Sequence, residues 1–336
     1  MSKTVLITGI SGMVGSHLAD LLLKKTNLVI FGLCRWRSPL DNVEHLLPLV
    51  NKKKSRLRFV SGDLNDYSSL IRALELSRPN YVYHLAAQSF PLASFEEANS
   101  TFNTNFIGTY NILNAIKFLK LNPYIHVCSS SEIFGRVKKK DLPIDENCSF
   151  HPSSPYAISK VGTDLLGKYF YEAFGLKVLT TRMFTHTGPR RGDVFAESSF
   201  AKQIALIEEK KIRPIIKVGN LKSLRTFADV RDAVNAYYLL LTKNPKPGEV
   251  YNIGGNFSCT VGEMLNYLLS LSKIKNIKIV SDRSRLRPLD ADLQVPNITK
   301  FSNATGWKPK INFEKTMLDL LNYWRKKVKS QNFLSR

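Results

Sequence analysis

Thr8-Gly9-Ile10-Ser11-Gly12-Met13-Val14-Gly15 is the stretch that decides the fold. It follows the apolar run Lys3 to Thr8 and opens the segment Met13 to Lys25, where Val14, Leu18, Leu21 and Leu22 share one helical face. A strand, a glycine-rich turn and a helix in that order make a corner that holds an anion. Gly9 permits the tight turn, Gly12 lets a pyrophosphate approach the backbone, Gly15 allows helix and strand to pack closely, and the helix amino terminus attracts negative charge. Gly9, Ser11, Gly12, Met13, Val14 and Gly15 are therefore the first cofactor-binding candidates.

Outward from this corner the pattern repeats. Leu28 to Leu33, Leu57 to Ser61, Tyr81 to Leu85, Tyr124 to Ser129 and Lys177 to Arg182 read as further strands separated by helical stretches. Continuous apolar runs, rather than alternation, mark strands buried on both faces of a parallel sheet. The fold class expected is α/β, a Rossmann-like doubly wound parallel sheet with a smaller C-terminal substrate-binding lobe. After about residue 185 the rhythm loosens, with Gly188-Pro189, Pro214, Gly219, Pro245, Pro247-Gly248, Gly254-Gly255 and Pro288. Residues 1–184 are read as the dinucleotide-binding domain and 185–330 as mainly the substrate lobe, with some chain crossing back.

Composition narrows the class. The 336 residues are 43% hydrophobic and 23% charged, which argues against disorder, collagen-like repeats and a coiled coil. No run of about 18 apolar residues occurs, and the amino terminus begins at once with strand-like sequence, so neither a membrane span nor a signal peptide is expected. Cys34, Cys128, Cys148 and Cys259 are far apart with no metal-ligand spacing, so no metal is expected, and a reducing cytoplasm fits. The 49 Lys+Arg exceed the 27 Asp+Glu by 22. The clusters Lys52-Lys53-Lys54, Arg136 to Lys140, Lys210-Lys211 and Arg325 to Lys329 are scattered and lack interleaved aromatics, so they read as solvated surface rather than a nucleic-acid groove. A polyanion remains the alternative, and a phosphate-bearing small ligand would profit from the same field.

Three further sites carry chemistry. The second strand ends in Arg35-Trp36-Arg37, with two guanidinium groups where a carboxylate would select the ribose 2′-hydroxyl, so NADP is favoured and NAD is the alternative. Asp63, with Leu64 beside it, is placed for the adenine or as a helix cap, and Leu85, Ala86, Ala87 and Gln88 bring small residues and backbone toward a cofactor. Ser130, Ser131 and Glu132 end the fifth strand, and Tyr156 and Lys160 stand four residues apart on a helical face. In that arrangement the ammonium favours ionisation of the phenol and holds a ribose hydroxyl. With 13 tyrosines a YxxxK spacing arises about once by chance, so its weight comes from its place after a strand rich in hydroxyls. Glu132 has a plainer reading as a cap or surface charge.

Together these features resemble the extended short-chain dehydrogenase/reductase family, over about residues 3 to 325. Ser130-Ser131-Glu132-Ile133-Phe134-Gly135 is similar to Thr-Ser-Glu-Leu-Tyr-Gly of GDP-mannose 4,6-dehydratases, and Phe184-Thr185-His186-Thr187-Gly188-Pro189-Arg190-Arg191-Gly192 to their Phe-Asn-His-Glu-Ser-Pro-Arg-Arg-Gly. Val218-Gly219-Asn220-Leu221 with Arg225 resembles the segment that holds the nucleotide there, and Arg287-Pro288-Leu289-Asp290-Ala291-Asp292 their Arg-Pro-x-Glu-Val-Asp.

The resemblance implies a GDP-sugar 4,6-dehydratase with internal hydride transfer: Tyr156 and Lys160 serve oxidation at C4, Ser130 binds O4, Glu132 removes the C5 proton, and the same carboxyl, or one hydrogen-bonded through Ser131, protonates the departing C6 hydroxyl. It implies Arg191, Lys202, Arg225 and Arg287 for the diphosphate, Asp290 for the guanosine ribose, and Thr185, Val218 and Asn220 for the rest of the substrate; Lys202 reads equally well as surface. It also implies a homo-oligomer, dimer or tetramer, paired through a four-helix contact that includes the Tyr156 helix. Thr185 departs from the family asparagine, Thr187-Gly188 is closer to GDP-4-keto-6-deoxymannose reductases, and Asp290 is a methylene shorter than glutamate. GDP-mannose and GDP-D-glycero-D-manno-heptose both remain candidate substrates. The alternatives are a GDP-4-keto-6-deoxy-sugar reductase, a GDP-sugar C4 dehydrogenase and, more remotely, a non-catalytic dinucleotide sensor or nucleic-acid-associated protein.

Overall fold

In the computed structural model, which describes residues 3–330, the central sheet begins with β1 (Thr4–Thr8), β2 (Val29–Cys34), β3 (Leu57–Ser61), β4 (Tyr81–His84), β5 (Tyr124–Ser130) and β6 (Lys177–Met183). Met1 and Ser2, with which the expected first domain begins, lie outside the described residues. Each strand end falls within one residue of the sequence expectation. A seventh strand, Val250–Ile253, completes the sheet, whose order is Val250–Ile253, β6, β5, β4, β1, β2, β3, all parallel. This is the doubly wound order, reversing direction between β1 and β4.

The connections are α1 (Met13–Lys25), α2 (Tyr67–Ser77), the short turns α3 (Ala93–Glu96) and α4 (Ala98–Phe102), a π-helical turn at Asn103–Ile107, α5 (Gly108–Phe118) and α6 (Pro155–Phe174). Alternate residues of β1 feed two layers. Val5 and Ile7 join Leu18 and Leu22 of α1 on one face, and Leu6 joins Leu70, Ile112, Ile116 and Phe170 on the other. Local chemistry sets the helix ends. The Ser154 hydroxyl accepts from Ala157 N–H at 3.0 Å to start α6, Pro155 occupies its first turn, and Gly175 ends it in a left-handed conformation.

Beyond β6 run β7 (His186–Thr187), α7 (Ala196–Glu208), β8 (Ile215–Val218), β9 (Leu224–Asp229), α8 (Val230–Thr242) and β10 (Val250–Ile253), the seventh strand of the sheet. They are followed by β11 (Phe257–Thr260), α9 (Val261–Ser270), β12 (Lys278–Ser281), β13 (Leu293–Gln294), α10 (Thr299–Thr305) and α11 (Phe313–Lys329). A second apolar core gathers Phe200, Ile204, Ile216, Met264, Leu268 and Trp324. The chain interleaves the two cores. α8, β10 and α10 return to the large sheet, where Val234, Tyr237, Ile253, Phe301 and Trp307 are buried with the α1 face.

A buried ion pair ties α6 to β6. Arg182 donates to both carboxylate oxygens of Asp164, at 2.9 and 3.0 Å, and to the Glu146 carbonyl at 2.7 Å, with side chains only 8% and 4% exposed. Removing one partner strands a buried charge. Asp164→Ala should cost about 3–5 kcal/mol of stability in urea unfolding, whereas Asp164→Asn, which keeps the shape and one acceptor, should cost less; equal losses would show that the charge plays no part.

Candidate active site

At the reversal of strand order the ends of β1 and β4 meet through a hydrogen-bond chain whose proton positions are determined. The Thr109 hydroxyl donates to the Asn105 carbonyl at 2.6 Å, so it accepts from His84 Nε2 at 3.0 Å. His84 Nδ1 is then an acceptor for the Thr8 hydroxyl at 3.0 Å, and Thr8 in turn accepts Leu85 N–H and Ala86 N–H, both at 3.1 Å. Asn105, in the π-helical turn, pins the next step: its side-chain Oδ1 accepts Gln88 N–H at 2.8 Å, and its side-chain Nδ2 donates to the Gln88 carbonyl and the Ser159 hydroxyl, both at 2.9 Å. Leu85 to Gln88 are thus held as a rigid rail beside the glycine turn. The sequence singled out neither Thr8, Asn105 nor Thr109, because each acts through a partner far along the chain.

The turn itself fits a dinucleotide pyrophosphate. Gly9 has φ +72°, and a Cβ there would lie 2.9 Å from the Ala86 backbone; one on Gly15 would lie 2.3 Å from the Gly9 carbonyl oxygen. Gly12 caps α1 without a side chain, and the first turn of α1 carries no acid, which leaves the positive helix end for an anion. Ser11, Met13 and Val14 complete this turn. Arg35 and Arg37 are exposed beyond β2, where the Arg37 guanidinium lies 4.5 Å from the ring of Trp36, itself 81% exposed. Asp63 caps a local turn, its carboxylate accepting Asn65 N–H at 2.9 Å, while α2 is capped by Asp66. Leu64 packs its side chain into the core.

Across the crevice, β5 delivers Ser130, and the 3₁₀ turn Ser131–Phe134 turns Glu132 toward the site, with Ser130 Oγ accepting Glu132 N–H at 3.2 Å. Tyr156 and Lys160 sit one turn apart on α6, both nearly buried. Burial drives the Tyr156 phenol pKa upward; a hydrogen bond with Ser130 and the charge of Arg191 act against it, and Glu132 adds to the rise. Burial lowers the Lys160 pKa, and its ammonium donates to the Cys128 carbonyl at 2.7 Å. That carbonyl fixes Lys160 from below. Ser131 is buried beside them, and Thr185 lies at the start of the next loop, its carbonyl accepting Ala228 N–H at 2.9 Å.

Arg191 reaches this pocket from the loop after β7. Its Nε pairs with Glu197 at 3.1 Å and its guanidinium lies 3.4 Å from the Phe195 ring, which meets Phe90 edge-on. Its field at Tyr156 was not legible in the sequence, where Arg191 stands 35 residues further along. The other expected cations are engaged within the protein. Lys202 pairs with Asp193 at 2.6 Å, and Arg225 holds Asp290 at 3.1 Å and the Ala291 carbonyl. Arg287 Nη1 stands 3.4 Å from both Glu132 Oε1 and Asp290 Oδ1. Burial works to raise the Asp290 pKa, but Arg225, Arg287, Asn220 and Ser223 outweigh it and hold the carboxyl below its ordinary value. Asn220 donates to Asp290 at 3.2 Å, and Val218 packs into the second core.

The arrangement unites a dinucleotide cradle, a buried Ser130–Tyr156–Lys160 group, the Glu132 carboxylate two residues beyond Ser130, and a basic loop from the second core. A family model described as GDP-mannose 4,6 dehydratase matches residues 6–320. The chain belongs to this family.

Among members of the GDP-mannose 4,6 dehydratase family and related proteins, GDP-mannose 4,6 dehydratase 1 of Arabidopsis thaliana is 32% identical over 324 residues, covering 93% of this chain and 87% of that protein. GDP-6-deoxy-D-mannose reductase of Pseudomonas aeruginosa is 29% identical over 331 residues, covering 98% and 100%. The solved structure of RMD from Pseudomonas aeruginosa, complexed with NADPH, superposes with a TM-score of 0.82 at 28% identity, covering 97% of this chain and 100% of that one.

Burial also sets a pH response. It lowers the pKa of His84 and His126 to about 3, and that of His17 and His186 to about 4. These residues are neutral in the folded protein and protonate at ordinary values, near 6.5, when unfolded. Stability is therefore full above about pH 6.5 and falls as pH drops toward 4, by about 1.4 kcal/mol per pH unit for each histidine. Urea unfolding between pH 7 and 5 should show this slope, and His126→Gln should reduce it by one histidine's share; an unchanged slope would remove His126 from the account.

Proposed function

We propose that the protein is an NADP-dependent GDP-sugar 4,6-dehydratase, with NAD as the alternative cofactor, acting on GDP-mannose or GDP-D-glycero-D-manno-heptose. The observation that carries the reading is Glu132, placed by the 3₁₀ turn after β5 with its N–H on Ser130 Oγ at 3.2 Å, the hydroxyl that also bonds the Tyr156 phenol. Oxidation alone needs the phenol; loss of water needs a second acid–base group. Membership of the GDP-mannose 4,6 dehydratase family supports the same reaction.

When bound, the nicotinamide supplies a reversible hydride acceptor for the sugar C4 and the hydride later delivered to C6. In this scheme Tyr156 takes the O4 proton while Ser130 hydrogen-bonds O4, leaving a 4-ketone that acidifies the C5–H bond. Glu132 takes the C5 proton and returns a proton to the C6 hydroxyl, which departs as water, with Ser131 beside it. Hydride addition at C6 and return to C5 of the proton that Tyr156 took from O4 complete the 4-keto-6-deoxy sugar and restore both residues. Lys160 positions the phenol and a ribose hydroxyl, and Arg191 and Arg287 meet the diphosphate. Arg225 and Lys202 act one layer behind, Arg225 by holding the Asp290 loop. Asp290, Asn220, Val218 and Thr185 line the nucleotide and sugar sites. Arg35 and Arg37 meet the 2′-phosphate, and Asp63 the adenine.

Residues 1–184 serve the cofactor and 185–330 mainly the substrate, in the cytoplasm. No described helix is long and apolar enough to cross a membrane. The subunits form a dimer or tetramer. Ile158, Leu165 and Tyr169 make an exposed apolar stripe along α6, beside exposed Ile107 and Tyr110, a patch that a second copy would cover. Leu165→Glu with Tyr169→Glu should halve or quarter the mass measured by light scattering; an unchanged mass would place the contact elsewhere.

A reductase acting on the 4-keto-6-deoxy product is favoured by Thr185 and Thr187-Gly188, and by the likeness to the Pseudomonas aeruginosa reductase. Mass spectrometry of each GDP-sugar incubated without added reductant separates the readings. Loss of one water supports the dehydratase. Loss of two hydrogens with reduced nicotinamide would make it a C4 dehydrogenase, and no change with either sugar, but NADPH consumption on the 4-keto sugar, a reductase. Tyr156→Phe should slow turnover by about 10²–10⁴-fold, and Glu132→Gln should retain C4 oxidation while losing water elimination to a similar degree.

A further inference from the structure

Arg287 differs from the other cations expected at the diphosphate. Arg191, Lys202 and Arg225 have carboxylate partners at 3.1, 2.6 and 3.1 Å, whereas a single nitrogen of Arg287 is shared between Glu132 and Asp290 at 3.4 Å to each. Good charge-assisted contacts lie at about 2.7–2.9 Å, so Arg287 is the weakly held one. Its contact with Glu132 spans 155 residues and joins the loop before β13 to the end of β5. The three side chains are partly exposed, so a ligand entering the crevice reaches them.

Resting on the dehydratase reading, we propose that Arg287 is a clamp on Glu132 that the nucleotide diphosphate opens. In the free protein the guanidinium holds the carboxylate that must accept the C5 proton. A carboxylate oxygen so engaged is not free to receive the C5 proton. A diphosphate offers the fork two parallel acceptors and more negative charge, and it draws Arg287 away. Asp290, on the same loop, keeps the arginine within reach of both positions. Deprotonation at C5 is thereby tied to occupancy of the nucleotide site, and Arg287 is a positioning residue for Glu132 as well as a phosphate ligand.

Coupling of this kind is reciprocal. Displacing Arg287 from Glu132 opposes nucleotide binding, so removing the carboxylate should strengthen it, and only while Arg287 is present. The test is a double-mutant cycle on GDP affinity by calorimetry with wild type, Glu132→Gln, Arg287→Met and the double variant, repeated with Arg287→Lys should the methionine variant fold poorly. Glu132→Gln should tighten GDP by about 3- to 10-fold in the Arg287 background and by less than twofold without Arg287. An equal gain in both backgrounds, as mere long-range repulsion would produce, overturns the clamp. Failure of all four proteins to bind GDP would count against the proposed function; the same cycle with inorganic pyrophosphate then decides the clamp, and absence of coupling there overturns it.

Discussion

Everything in this molecule hangs on how closely the first turn of α1 approaches the end of β1. A single methyl group at Gly15 would stand 2.3 Å from the Gly9 carbonyl oxygen, and one at Gly9 would meet the Ala86 backbone. That contact aims the helix amino terminus at the crevice and brings β4 alongside. The Thr8–His84–Thr109 chain then makes the junction stiff, because every donor and acceptor role of its hydroxyls and ring nitrogens is assigned. A neutral buried imidazole is the cost, and it persists because both nitrogens are satisfied.

The large sheet was legible because its signal is local. Six strands buried on two faces read as apolar runs, and the helix between β1 and β2 read from four residues on one face. The seventh strand was not. Val250–Ile253 is four residues long, lies among prolines and glycines, and pairs with β6 only because the chain returns from the second core. The site divides in the same way. Ser130, Glu132, Tyr156 and Lys160 belong to short motifs on two adjoining elements. The approach of Arg191 to Tyr156 and of Arg287 to Glu132 depends on where the second core sits against the sheet, a property no spacing records. Leu64 and Val218 show the converse: short motifs singled them out for a ligand, yet their side chains pack into the cores.

Beneath the excess of 22 positive charges, the acids of this chain hold particular basic groups in place. Around the second core, acids sit against the basic groups. Glu208 takes Arg325, Asp41 takes Lys327, and Asp290 takes both Arg225 and Arg287. The exposed pairs contribute little to stability. Their effect is to fix long side chains in place, so that loops bearing cations face the crevice in a defined arrangement.

The interleaving of the two cores has a consequence for synthesis. Because β10 pairs with β6, and Phe301 and Trp307 complete the α1 face, the sheet cannot close until residue 253 has left the ribosome, nor that face until residue 307 has. Before then β6 presents an unpaired edge, and the α1 face lacks Phe301 and Trp307. A nascent chain in that state displays both a strand template and an apolar face. Completion of the sheet and of its α1 cover therefore waits on segments made late, and until they arrive the edge and the face are open to its neighbours.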